Sequence, residues 1–287
     1  MLLNFCGPEM ILEHKTIPLF DKLFLEKAKA VPPIRLPNFM HDEACFLYVI
    51  EGKCTAVSEI EYLEAQPPDA LLMKCGNFFN FCVPDENAPH YHAVAIHFHK
   101  DVLKKVYENE LPGFLKSGST GESNFARVET TEVINKYIES ILFYFEHPQL
   151  VNEELLVLKL KELLVLLSQT ERGAKVREIL SNLFSPTTYQ LKQVIEAHLY
   201  HDVSVGELAA LCHMSESSFK REFKKEYNDS PASYLRNKKL ERAKKLLEVG
   251  AMSVAEAAFE CGFNDLAHFS KAFKEKFDTP PSRIKRP

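Results

Sequence analysis

The chain has 287 residues, 46% hydrophobic and 26% charged, enough for two domains of ordinary size with a buried core in each. No run approaches the roughly 18 uninterrupted apolar residues a membrane helix needs. The start, MLLNFCGPEMILEHK, shows no basic leader or small-residue cleavage site, and seven irregularly spaced cysteines suit reduced thiols, so a soluble cytoplasmic protein is expected.

Net charge is −5, which by itself argues against a nucleic-acid partner, but the balance changes along the chain. Residues 187–287 hold 17 Lys+Arg against 14 Asp+Glu, whereas residues 1–186 hold 18 against 26. The basic excess lies at the C-terminal end.

Residues 1 to about 100 read as strands. FLYVIEG (46–52), KCTAVSEI (53–60), DALLMKC (69–75), FFNFCV (78–83) and HAVAIHFH (92–99) are separated by Pro, Asn, Asp and Gly. A small antiparallel sandwich or barrel follows. From about 126 the period becomes helical, with Val133, Ile134, Tyr137, Ile138, Ile141, Leu142 and Phe145 on one stripe. A second helix, about Asn152 to Ser168, carries LLVLKLKELLVLL, too apolar for one buried side. SQTERGAK (168–175) breaks it, a short helix runs to about Phe184, and SPTT (185–188) marks a boundary.

The strand region holds two tempting constellations. His90, His92, His97 and His99 crowd one segment near His41, but alternation puts His90 and His92 on one side of a continuous strand and His97 and His99 on the other. Core or half-exposed histidines are expected rather than ligands. Cys45, Cys54, Cys75 and Cys82, separated by 9, 21 and 7 residues, lack the paired spacing of a structural zinc site and read as buried thiols. There is no nucleophile elbow and no phosphate-binding glycine loop, so no enzyme and no cofactor are expected.

The C-terminal hundred residues repeat themselves. Ser204, Val205, Glu207, Ala209 and Cys212 recur 49 residues later as Ser253, Val254, Glu256, Ala258 and Cys261. Phe219, Phe223, Lys224 and Pro231 recur 50 residues later as Phe269, Phe273, Lys274 and Pro281. Each copy, about 204–226 and 253–276, is a short helix, a tight turn and a second helix, the pattern of a helix-turn-helix. Aromatic residues at intervals of four (Phe219, Phe223, Tyr227; Phe269, Phe273, Phe277) face inward and leave the basic face of each second helix free. The candidate DNA-contacting residues are Ser215, Glu216, Ser217, Lys220, Arg221 and Lys224 in the first copy, and Asn264, Asp265, His268, Lys271 and Lys274 in the second. Between the copies, Pro231 and Gly250 frame a connector helix with Tyr234, Leu235, Leu240, Ala243, Leu246 and Leu247 inward. A rigid connector would offer both second helices to successive major grooves roughly 34 Å apart.

The segment from Ser204 to Lys285 resembles the DNA-binding domain of the AraC/XylS family of bacterial transcription regulators. The second copy carries its pattern in Ala258, Gly262, Phe263, Phe269, Phe273, Lys274, Phe277 and Pro281, departing from it at the Asn264–Asp265 turn and at Glu275. The resemblance implies a cytoplasmic α+β regulator. Residues 1–184 would form a cupin-like regulatory domain with dimerisation helices at about 126–168, and residues 185–287 a tandem helix-turn-helix domain. Its partners would be double-stranded promoter DNA, RNA polymerase, a second copy in a homodimer and a small-molecule or protein effector, and activation is the family's usual mode. YVIEG (48–52) is similar to the family's cupin-like sensor, whose barrel could hold an apolar or amphipathic molecule, and the two helices resemble those of the subgroup that activates type III secretion genes in response to protein partners. The competing reading is a cupin-type metalloenzyme or metal sensor with an appended DNA-binding unit. A metal cupin has a Glu about seven residues before its turn glycine, and here Cys45 stands seven before Gly52.

Overall fold

The computed structural model describes residues 10–40, 42–74, 76–84, 88–108, 110–116, 123–170, 173–184, 189–201, 203–249 and 252–284. The chain divides into two compact units, one ending at residue 188 and one beginning at Tyr189. His41, Cys75, the SPTT boundary and Gly250 lie outside the described residues.

The first unit is a two-sheet sandwich backed by helices. Its strands are β1 (Ile11–Leu19), β2 (Lys22–Ala30), β3 (Ile34–Met40), β4 (Glu43–Glu51), β5 (Lys53–Val57), β6 (Tyr62–Ala65), β7 (Ala70–Met73), β8 (Gly76–Val83), β9 (Tyr91–His99) and β10 (Phe125–Val128). One sheet runs β1-β2-β9-β4-β7-β10 and the other β3-β8-β5-β6, with antiparallel pairing throughout. Helices α1 (Lys100–Val106) and α2 (Gly113–Lys116) precede β10, and α3 (Glu132–Glu146), α4 (Glu153–Ser168) and α5 (Gly173–Asn182) follow it.

Strands β4, β7 and β9 are buried on both faces, which is why they read as continuous apolar runs. On one face Phe46, Leu72, Val94, Ile96 and Phe98 join a core with α3, α4 and α5. On the other, Cys45, Leu47, Leu71, Met73, Ala93 and Ala95 meet Cys54, Ala56, Phe78 and Cys82 of the facing sheet. Cys45, Cys54 and Cys82 are buried free thiols. Thr131 caps α3 through the Ile134 amide at 3.4 Å, and Asn152 caps α4 through the Leu155 amide at 2.8 Å. Leu156, Leu160, Leu163, Leu164 and Leu167 bury one side of α4, while Leu158 remains 64% exposed and Val165 46%.

The second unit is helical: α6 (Leu191–His198), α7 (Val205–Leu211), α8 (Glu216–Tyr227), α9 (Pro231–Val249), α10 (Val254–Glu260) and α11 (Leu266–Phe277). Its two cores are small. Ile195, Leu208, Ala209, Phe219, Phe223 and Leu235 form one, and Leu240, Ala243, Leu247, Ala257, Ala258, Phe269 and Phe273 the other. The first half of α9 thus closes one core and its second half the other.

The sequence reading is corrected in two places. Residues 126–128, assigned to the first dimerisation helix, belong to β10, and α3 begins at Glu132. Strands β1, β2, β3, β6 and β10 were not expected as separate elements; β1 and β2 carry Glu, His and Lys among their apolar residues, which obscures their period.

Candidate nucleic-acid interface

The repeat becomes two bends with the same caps, the same turn hydrogen bond and a left-handed residue at the same place in the turn. Ser204 and Glu207 form a reciprocal capping box at the start of α7, and Ser253 and Glu256 form the same box at α10, with matching distances of 2.7 and 3.2 Å. Buried Ala209 and Ala258 sit at the crossings. Each turn is closed by an amide bonded back to that alanine's carbonyl, Met214 to Ala209 at 2.9 Å and Phe263 to Ala258 at 3.0 Å. The residue before that amide has positive φ in both copies: +56° at His213 and +72° at Gly262. The second helices also end alike, at Asn228 and Asp278 with φ of +53°.

All eleven proposed contact residues are exposed, but they do different local work. Ser215 caps α8, accepting from the Ser218 amide at 3.3 Å, and Asp265 caps α11, accepting from the Ala267 and His268 amides at 2.7 and 3.3 Å. Both side chains are committed to helix starts, and Ser217 shares a hydrogen bond with Ser215 at 3.1 Å, which leaves Asn264 as the freer polar group there. Glu216 pairs with Lys220 on α8. Arg221 lies 3.8 Å from Glu222, a loose exposed pair that a phosphate or a guanine could replace at little cost. Arg221 and Lys271 occupy the same place in the two copies, as do Lys224 and Lys274, so each helix shows cations one turn apart on its outer face.

Three basic side chains fix the second unit internally. The Lys239 ammonium on α9 donates to the His201 carbonyl at 3.0 Å and to the Gly262 carbonyl at 3.1 Å, tying the segment before α7 to the turn after α10. Arg242 covers the Tyr200 ring at 4.2 Å and approaches Glu260 at 3.3 Å. Lys276 of α11 donates to the Asn237 carbonyl and to Glu241, a hydrogen bond that holds the Glu241 carboxyl below its ordinary range. The two bends are therefore held to one connector by charge as well as by their cores.

Between them opens a cleft of about 670 Å³, lined by Ser204, Ser233, Arg236, Lys239, Asn264 and His268 among others. Exposed Arg236 was missed by the sequence reading. It follows Tyr234 and Leu235, both assigned to the inward face of the connector, and its place beside Asn264 and His268 exists only once the two copies are brought together.

In the first unit the histidines divide as alternation requires. His97 and His99 share the inner face with Cys45 and Glu43, while His92 is on the opposite face with Val94 and Ile96. His97 is fully buried, with Nδ1 2.5 Å from Glu43 and Nε2 3.2 Å from Glu26. Both ring nitrogens face carboxylates, so both must donate. Burial opposes the charge, but these bonds outweigh it and raise the His97 pKa. Burial likewise raises Glu26, and the His97 hydrogen bond and charge override it, bringing that carboxyl down to about 2; Glu43 is lowered by the same opposition. His14 bonds the other Glu26 oxygen at 2.7 Å. These side chains satisfy one another, and no group of three or more His, Cys, Asp or Glu among the described residues is placed to hold a metal ion.

Two family models match the chain: an ExsA N-terminal regulatory domain over residues 44–179 and a helix-turn-helix domain over residues 208–287. The transcriptional regulator ExsA of Pseudomonas aeruginosa is 26% identical over 145 residues, covering 50% of this chain and 51% of that protein. The regulator GbdR of the same species is 35% identical over 96 residues, 33% of this chain and 26% of that one. A probable AraC family regulator from Rhodopseudomonas palustris, known as a crystal structure, is 30% identical over 34% of this chain and 95% of its own, with a TM-score of 0.31. The chain spans about a quarter to a half of the length of these curated relatives. One model describes a regulatory domain and the other a helix-turn-helix, and no described helix is long and apolar enough to cross a membrane. With a regulatory-domain match over the sandwich and a helix-turn-helix match over the paired bends, the chain belongs to the AraC/XylS family of DNA-binding transcription regulators and carries an ExsA-like N-terminal domain.

Proposed function

We propose that the protein is a sequence-specific transcription activator that binds promoter DNA as a homodimer, recruits RNA polymerase and is controlled by an effector at residues 1–184. The observation that carries the DNA-binding part is the pair of matched bends with exposed basic helices α8 and α11, both packed on α9. Arg221 and Lys271 read base edges. Lys224, Lys274 and Arg236 grip phosphates, with Ser217, Asn264 and His268 completing the surface. Activation rather than repression rests on the relatives, among them the activator RhaS of Klebsiella pneumoniae.

Two observations support the regulatory half of the reading. The apolar, exposed Leu158 and Val165 lie seven residues apart on one face of α4, as a helical dimer seam requires. Inside the sandwich, Asn80 shares its face of β8 with Phe78 and Cys82, and both polar atoms of its buried amide lack a hydrogen-bond partner among the described residues. An effector with a polar group could satisfy that amide.

The test is a gel-shift series at two salt concentrations on a DNA site selected from a random pool. Arg221→Ala or Lys271→Ala is expected to cost about 1–3 kcal/mol with relaxed preference at one position, whereas Lys224→Ala or Arg236→Ala weakens all sequences and flattens the salt slope. Unchanged affinity in all four variants removes this face from the interface.

A further inference from the structure

At one end of the sandwich, the start of β2, the turn before β4 and the junction of β9 with α1 converge on a cavity of about 280 Å³. Its lining is Lys22, Asp42, His99, Lys100, Asp101 and Lys104. Every one of these side chains is polar or charged, so an apolar molecule would gain little by entering.

The charges are unevenly matched. Three ammonium groups share two carboxylates. Lys22 stands 3.5 Å from Asp101 and Lys100 3.8 Å from Asp42, long pairs that leave most ammonium protons uncommitted. The second Asp101 oxygen accepts from the Val102 amide at 2.9 Å, which further spends its charge. Lys104 makes no ion pair with a carboxylate among the described residues. It sits one helical turn from Lys100 on the same face, where Asp101 is the only carboxylate of the helix that lines the cavity with them and is itself shared with Lys22.

The His99 ring is already committed. It donates from Nε2 to the Leu23 carbonyl at 2.6 Å and turns Nδ1 toward Glu43 at 3.4 Å. The other Glu43 oxygen is bonded by His97, and that ring offsets the repulsion Glu43 would present to an incoming anion.

We propose that this cavity binds a small multivalent oxyanion, a phosphoryl group or a compact polycarboxylate, held by Lys22, Lys100 and Lys104. Lysine acts here as a point charge with rotatable donors, suited to a tetrahedral or branched anion. The site belongs to the first unit and stands independently of the DNA-binding reading.

The experiment is calorimetric titration of the full chain with pyrophosphate and, separately, with citrate, each against sodium chloride at equal ionic strength. Saturable binding of either anion is expected, at least tenfold weaker in Lys104→Gln and in Lys22→Gln, and within twofold of the parent in Lys192→Gln, which removes an exposed cation from α6 instead. Lys22 and Lys104 are exposed enough for both variants to fold, which an unchanged melting midpoint verifies. Binding of one anion alone assigns the class to phosphoryl or to carboxylate. No saturable heat with either, or binding that Lys104→Gln and Lys22→Gln leave within twofold of the parent, overturns the proposal.

Discussion

His97 shows how a single buried side chain can be visible in the sequence while its role is not. The histidine cluster stands out in HAVAIHFH, but the partners that define it, Glu26 and Glu43, are supplied by two other strands whose pairing no local spacing reveals. His97→Ala leaves the buried Glu26 and the half-buried Glu43 without their shared donor and should lower stability by roughly 3–5 kcal/mol in a denaturant titration. The same cluster sets a pH window. The Glu26 carboxyl is lower in the folded chain than its ordinary 4.5, so its contribution is complete above that value and is lost as pH falls toward 2. His97 is raised above its ordinary 6.5, so its contribution is complete below 6.5 and is lost as pH climbs through the raised value. Melting midpoints measured from pH 2 to 9 should peak in between, and His97→Ala should flatten the alkaline limb. A second pair of residues separates strain from contact. A Cβ at Gly262 would stand 2.7 Å from the Tyr200 carbonyl and 3.0 Å from the Lys239 ammonium, so Gly262→Ala should cost roughly 2–3 kcal/mol in thermal unfolding of the second unit. His213, its counterpart, holds the same left-handed backbone with a side chain, and His213→Gly should cost little or gain up to about 1 kcal/mol.

At the scale of elements, legibility followed locality. The ends of α7, α8, α10 and α11 could be read because their caps, aromatic anchors and turn residues lie within a dozen positions of one another, and the duplication states each of them twice. Strand β2 could not, since Glu26 and Lys27 look solvent-facing until cross-strand partners bury them. The stretch before α3 misled for a related reason: Phe125, Ala126 and Val128 continue an apolar pattern, but they pair with β7 and extend the sheet. Helix α4 was legible as too apolar for one partner, and its exposed Leu158 and Val165 are the remainder. Under the proposed dimer, Leu158→Glu should shift the protein to monomer in analytical ultracentrifugation, and its melting midpoint should equal that of the parent measured at a dilution where the parent is itself monomeric, because the side chain is solvent-exposed within the single chain.

For the molecule as a whole, the division of labour follows from where each unit places its charge and its unmatched surface. The N-terminal unit holds the whole acidic excess, 26 Asp+Glu against 18 Lys+Arg, together with a buried histidine–carboxylate chain and an uncovered helix face. The C-terminal unit carries two basic helix faces, matched at Arg221 with Lys271 and at Lys224 with Lys274, and the side chains that hold them to one helix. The two bends were legible because their caps and aromatic anchors repeat, and among the candidate contact residues only Arg221 with Lys271 and Lys224 with Lys274 are matched cations. Arg236 and the cleft beside it were not legible, because they arise only when the copies pack on α9. The central claim is that α8 and α11 grip one duplex together, and helical phase tests it most directly. A selected site should be bound by the full chain, and insertion of five base pairs between its two contacted segments should rotate one segment to the far side of the duplex. Binding to the spaced site is expected to fall to the level of a single segment. Equal affinity for the two sites would contradict the account.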